Sequence, residues 1–191
     1  MRKFFFFIFL SLGISMSAQS FQEKLVAEAY QLTYQNVVYD PAYVVIPYPN
    51  GDVLAGRGVC TDVVIRAYRK MGIDLQKEVH EDMKANFNLY PKNWGLSRPD
   101  KNIDHRRVLN LMRFFERHGT TLPITQNNTD YKPGDIVCWD LGGGALHIGI
   151  VSDRKIANTN RYGIVHNVGA GQVHEDFLFE YKIIGHYKYD G

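Results

Sequence analysis

Long apolar runs, cysteines and blocks of one charge are scarce in this 191-residue sequence, and each scarcity narrows what it can be. Only Cys60 and Cys138 occur, too few for a disulfide-built scaffold, although an exported chain would allow one bridge between them. No Lys/Arg-rich block appears and the formal charge is only +2, so nucleic acid is not an expected partner. There is no close-spaced His-x-x-x-His or Cys-x-x-Cys pair, and neither a metal nor another cofactor is expected. No repeat period is present either; Val-His-Glu-Asp at 79–82 and again at 173–176 reads as coincidence.

The first residues have the composition of an export signal. Arg2 and Lys3 precede the apolar run Phe4 to Leu10, and the small residues Ser15, Ser17 and Ala18 follow. The expected signal is 1–18, cleaved after Ala18 or, because Met16 is larger than usual at its position, after Ser17. The run falls short of the ~20 residues that span a bilayer, and nothing later is more apolar. Residues 19–191 are therefore read as one domain, monomeric and without a membrane span, located in the periplasm or secreted. Loss of Arg2 and Lys3 brings its basic residues level with its 20 acidic ones.

Apolar spacing predicts a helix over Phe21 to Tyr34, and Pro41 and Pro47 make Tyr39 to Tyr48 extended, with a strand-forming core at Tyr43 to Ile46. A second helix starts at Cys60, carries Val63, Val64, Ala67, Tyr68 and Met71 on one face, and stops at Gly72. A weaker helix covers Leu75 to Leu89, and another runs from an N-cap at Asp104 to His118, burying Val108, Leu109, Leu111, Met112 and Phe115. From Lys132 the pattern changes to strands at 136–140, 146–151, 163–168 and 182–187, joined by glycine-rich or short links. Helices first and antiparallel strands second define an α+β domain, with the helix of Cys60 packed on a curved antiparallel sheet.

Chemistry centres on Gly56-Arg57-Gly58-Val59-Cys60, where a loop turns into a helix. The helix N-terminus favours an anion, so a thiol of ordinary pKa about 8.5 is expected to fall to roughly 3.5–7.5. The alternative is a small buried residue at a helix start. A thiol nucleophile needs a base and a group to orient that base. His147 is the candidate base, because a polar ring inside the apolar strand Leu146 to Val151 is costly without partners. His166, or Asn167 on the opposite face, would hold it if their strands pair. The backbone N–H of Cys60 offers one oxyanion donor, with Tyr48, Trp94 and His105 as candidates for a second. Asp62 either binds substrate or stabilises the first helical turn, and Asp104 either acts in the site or caps its helix.

Gly-Val-Cys-Thr-Asp-Val-Val at 58–64, Pro-Gly-Asp-Ile-Val at 133–137, His-Ile-Gly-Ile-Val at 147–151 and the strand of His166 resemble the NlpC-type cell-wall cysteine peptidases of the papain-like superfamily. More closely, Asp40 to Tyr189 resembles the bacterial family catalogued as domain of unknown function 1287, through stretches that include Trp94-Gly95-Leu96, Asn102 to Val108 and Gly185-His186-Tyr187. The resemblance implies a hydrolase in which Cys60 attacks an amide, His147 serves as base and then acid, and His166 orients it. Its substrate would be a peptide, above all the stem peptides of peptidoglycan. The NlpC pattern has an aspartate directly before the cysteine that reads a substrate amine; here Val59 stands there. Two other readings compete: a non-catalytic wall- or glycan-binding module on the same fold, and a zinc hydrolase drawing ligands from Cys60, Asp104, His105, His147 and His166.

Overall fold

The computed structural model describes residues 19–191, and the expected signal at 1–18 lies outside the described residues. Four helices, α1 (Phe21–Leu32), α2 (Cys60–Lys70), α3 (Leu75–Asn86) and α4 (Val108–His118), precede most of the sheet. The sheet comprises β3 (Thr120–Thr121), β4 (Ile136–Gly142), β5 (Ala145–Lys155), β6 (Tyr162–His166), β7 (Val173–Glu175) and β8 (Lys182–Lys188). Its order is β3-β8-β4-β5-β6-β7 and every pairing is antiparallel. A short parallel pair, β1 (Val38–Tyr39) with β2 (Arg57–Gly58), stands apart from it. This is an α+β architecture. No helix among the described residues is long and apolar enough to cross a membrane.

Local chemistry accounts for the helix starts. Ser20 and Glu23 form a reciprocal capping box on α1, with Ser20 N–H donating to Glu23 Oε2 at 2.7 Å. Asp74 caps α3 by accepting from the N–H groups of Gln76 and Lys77. Asp104 does not cap α4, contrary to the sequence reading. It opens a separate single turn, Asp104–Arg106, and α4 begins after Arg107, which makes no side-chain cap. The buried Asp104 carboxylate instead meets the Asp100 N–H and Arg107.

The sheet divides the core by its period of two. Ile136, Cys138, Ile148, Ile150 and Val165 face the helices and pack with Leu25, Val64, Tyr68, Leu111 and Phe115. Val137, Trp139, Val151 and Ile164 face the other way, under Phe177, Leu178 and Tyr131. In α4 the buried ring beside Phe115 is Phe114, while Leu109 and Met112 are half-buried. The stretch from Tyr43 to Ile46 is extended but joins no ladder: Val45 is 80% exposed and only Ile46 is buried. Both cysteines are free and buried, so no bridge joins Cys60 to Cys138.

Phe115 ties the helical layer to the strands, with ring centroids 6.3 Å from Tyr68 and 6.0 Å from Tyr187. Phe115→Ala is expected to lower the unfolding free energy by about 3–5 kcal/mol. Urea denaturation measures it, and a loss under about 1 kcal/mol would show that this junction does not hold the layers.

Candidate active site

The site begins with how the chain enters α2. Tyr39 pairs with Gly58, where a Cβ would sit tightly, 3.1 Å from Arg66 Nη1 and 3.2 Å from the Asp62 side chain. Val59, the extended N-cap residue, has no polar side chain to cap the helix. Its N–H is instead taken by Asp62 Oδ2 at 2.7 Å. The other face of Asp62 is held by Arg106, whose Nε and Nη2 donate to Oδ1 and Oδ2 at 2.9 and 3.0 Å. Thr61 Oγ1 donates to the Arg106 carbonyl at 3.2 Å, so the first turn of α2 is clamped to the segment before α4. Asp62 is 2% exposed and both of its oxygens accept hydrogen bonds from within the fold.

Cys60 is 4% exposed. Burial pushes its thiol up to about 12, and the Asp62 charge adds to this, against the opposing pull of N–H groups from Ile148, Thr61 and Cys60 itself. The expected low thiol pKa is therefore reversed, because desolvation outweighs the helix terminus. The Ile148 N–H that faces the sulfur belongs to β5, one residue beyond His147. β6 pairs with β5 only from Ile150 onward, which leaves this stretch of β5 unpaired on that side.

His147 leaves β5 on the face opposite Ile148 and packs among Trp139 and Phe177, with centroids at 5.7 and 5.1 Å. Its Nε2 lies 2.7 Å from Nδ1 of His166. Burial lowers the pKa of both rings, so the pair is neutral at physiological pH. His166 Nε2 in turn lies 3.0 Å from Glu175 Oε1, off the ring N–H axis. Among the described residues, no hydrogen bond joins the Cys60 sulfur to either imidazole.

Asn167 points elsewhere from His166. It is fully buried, donates through Nδ2 to the Gly58 carbonyl at 3.3 Å, and accepts the Gly169 N–H, so it tethers the strand before α2. A cavity of about 250 Å³ opens at Cys60, lined by Tyr39, Trp94, Arg106, Leu109 and Leu146 among others. Trp94 is braced by the Arg107 guanidinium 4.1 Å over its ring. Tyr48, Asp104, His105, His147 and His166 are not among the residues that line this cavity. Tyr48 packs on His80, with centroids 5.2 Å apart. Burial pushes the Asp104 carboxyl up to about 6 and His105 down to about 3, and His105 Nδ1 has no hydrogen-bond partner among the described residues.

Tyr39 and Glu175 escaped the sequence reading. Tyr39 lies near enough to Cys60 for a thiolate there to raise its own pKa, after burial the largest cause. It is reached only through its pairing with Gly58, two residues before Cys60. Glu175 sits in the Val-His-Glu-Asp recurrence, which carried no meaning without the strand register. For the zinc reading, no three His, Cys, Asp or Glu side chains among the described residues are gathered as ligands.

An α+β domain with a thiol at a helix start and a bonded histidine pair on the sheet is the class defined by these elements. The chain belongs to the family described as Domain of unknown function (DUF1287), which matches residues 26–189 and so starts before Asp40. It is similar to the Uncharacterized protein YijF of Escherichia coli (strain K12), 53% identical over 161 residues, covering 84% of this chain and 78% of that protein. No solved structure matches.

Two measurements check this geometry. Arg106→Met leaves Asp62 buried and unpaired and is expected to cost about 3–5 kcal/mol of stability. A cycle with Asp62→Asn should be strongly non-additive, and additive losses would contradict the clamp. The ultraviolet absorbance of a thiolate should be absent from the folded protein as pH rises past the ordinary thiol value of about 8.5. A transition at or below that value, lost in Cys60→Ala, would show an ionised sulfur.

Proposed function

We propose that the protein is an exported thiol hydrolase of NlpC-type, papain-like fold that cleaves an amide or peptide bond, most specifically in peptidoglycan stem peptides. The observation that carries the reading is the 2.7 Å His147–His166 contact next to the β5 residue whose N–H faces the Cys60 sulfur, with a cavity open at that sulfur. A periplasmic or secreted location and a monomeric state belong to the same proposal.

In this mechanism the resting thiol and imidazoles are neutral. Substrate fills the cavity against Trp94 and Leu146; the mechanism requires it to bring the Cys60 sulfur and His147 within hydrogen-bond reach, after which the Cys60 proton passes to Nδ1 of His147, since Nε2 is engaged by His166. The sulfur attacks the carbonyl carbon, and the oxyanion is met by the Cys60 N–H and the Tyr39 hydroxyl. The His147 imidazolium then protonates the leaving amine, and a thioester remains on Cys60. Water activated by His147 hydrolyses the thioester and restores the thiol. Because Asp62 is already paired with Arg106, recognition of the substrate end falls to the aromatic and apolar walls.

A second reading has its own support. The buried, un-ionised thiol and the absence of a Cys60–imidazole hydrogen bond among the described residues favour a non-catalytic binding module. Release of muropeptide fragments from purified peptidoglycan, followed by mass spectrometry, separates the two. Cys60→Ala and His147→Ala should each lose more than about 10³-fold in rate while keeping the fold. Equal activity in Cys60→Ala would reject the hydrolase. Burial lowers His147 to about 4, so its base form persists through weakly acidic pH and the rate should fall only as pH approaches that value. An acid limb centred near the ordinary histidine value of about 6.5 would contradict this assignment.

A further inference from the structure

We infer that Glu175 is a positioning residue that fixes the proton arrangement of the His147–His166 pair and so leaves Nδ1 of His147 as the free base. The catalytic consequence rests on the hydrolase reading above; the proton arrangement itself does not.

The register of β6 and β7 brings the groups together. Ile164 pairs with Glu175 and His166 with Val173, so His166 and Glu175 are diagonal neighbours on one face, within reach of a long side chain. Glu175 Oε1 lies 3.0 Å from His166 Nε2. That nitrogen is buried and makes no hydrogen bond among the described residues, and the carboxylate oxygen is the acidic group beside it. His174, adjacent on β7, pairs with Val165 and turns to the Arg154 carbonyl instead.

The proton logic follows from what each group can do. A carboxylate oxygen this close repels a bare nitrogen lone pair and favours an N–H even away from the hydrogen-bond axis, so the neighbouring nitrogen of His166 carries the hydrogen. A neutral imidazole holds one hydrogen, and Nδ1 of His166 must then accept. The 2.7 Å partner, Nε2 of His147, therefore donates, and Nδ1 of His147 is left with a bare lone pair. Without Glu175 the opposite arrangement becomes available, in which His166 Nδ1–H donates and His147 carries its hydrogen on Nδ1. In that state His147 cannot take a thiol proton. When the base does take it, the charge formed on His147 is relayed through the same two contacts toward the carboxylate.

The Glu175 side chain is 48% exposed, so its replacement removes little packing. The full chain with ¹⁵N-labelled histidine, studied at neutral pH by long-range ¹H–¹⁵N correlation, reads both ring tautomers directly. The wild type should show hydrogen on Nε2 of both His147 and His166. Glu175→Ala should move His147 partly or wholly to the Nδ1–H form, and kcat on peptidoglycan should fall at least about tenfold with little change in KM. Hydrogen on Nδ1 of His147 in the wild type, or unchanged tautomers in Glu175→Ala, would overturn the inference. A wild type with no hydrolase activity would instead overturn the proposed function, and the tautomer result would still decide the role of Glu175.

Discussion

Burial of β5 on both faces is the constraint from which the site follows. Residues 147–152 are closed off on the helix side by Ile148 and Ile150 and on the other side by His147 and Val151. A polar ring in such a strand is tolerated only if its nitrogens find partners. His147 finds one in His166, and His166 lies against Glu175. A row of titratable groups is thus built into an aromatic pocket made by Trp139 and Phe177. The same dryness that makes the row necessary keeps its imidazoles neutral.

The thiol reaches this strand through a second constraint, the anchoring of the start of α2. Asp62 takes the Val59 N–H and the Arg106 guanidinium at once, and Asn167 holds the Gly58 carbonyl. Those contacts set Cys60 at the rim where β6 has not yet joined β5. The two constraints together give a sulfur that is positioned but un-ionised, so the proposed chemistry requires proton transfer within each catalytic cycle in place of a standing thiolate.

What the sequence made legible was whatever depends on local spacing. The helix at Cys60, the order of helices before strands and the two polar interruptions at His147 and His166 all follow from periodicity and the cost of burying polar groups. Quantities that depend on burial or register were hidden. The helix terminus argued for an ionised Cys60, yet desolvation has the opposite sign and is larger. Asp104 has the residue type of a cap, but the chain makes a separate turn before α4. Asp62 offered two roles, and its buried partner Arg106 is distant in sequence. Tyr39 and Glu175 are reached through the pairing of Tyr39 with Gly58 and of Ile164 with Glu175, which no single segment discloses.

The proposed chemistry depends most on a covalent bond between substrate and Cys60. Intact-mass measurement of protein quenched in acid during turnover of peptidoglycan fragments, with the adduct mapped by digestion, tests it most directly. An acyl adduct of stem-peptide mass on the peptide that carries Cys60 is the expected result. Product release with no adduct at Cys60, under conditions where deacylation is slowed, would contradict it.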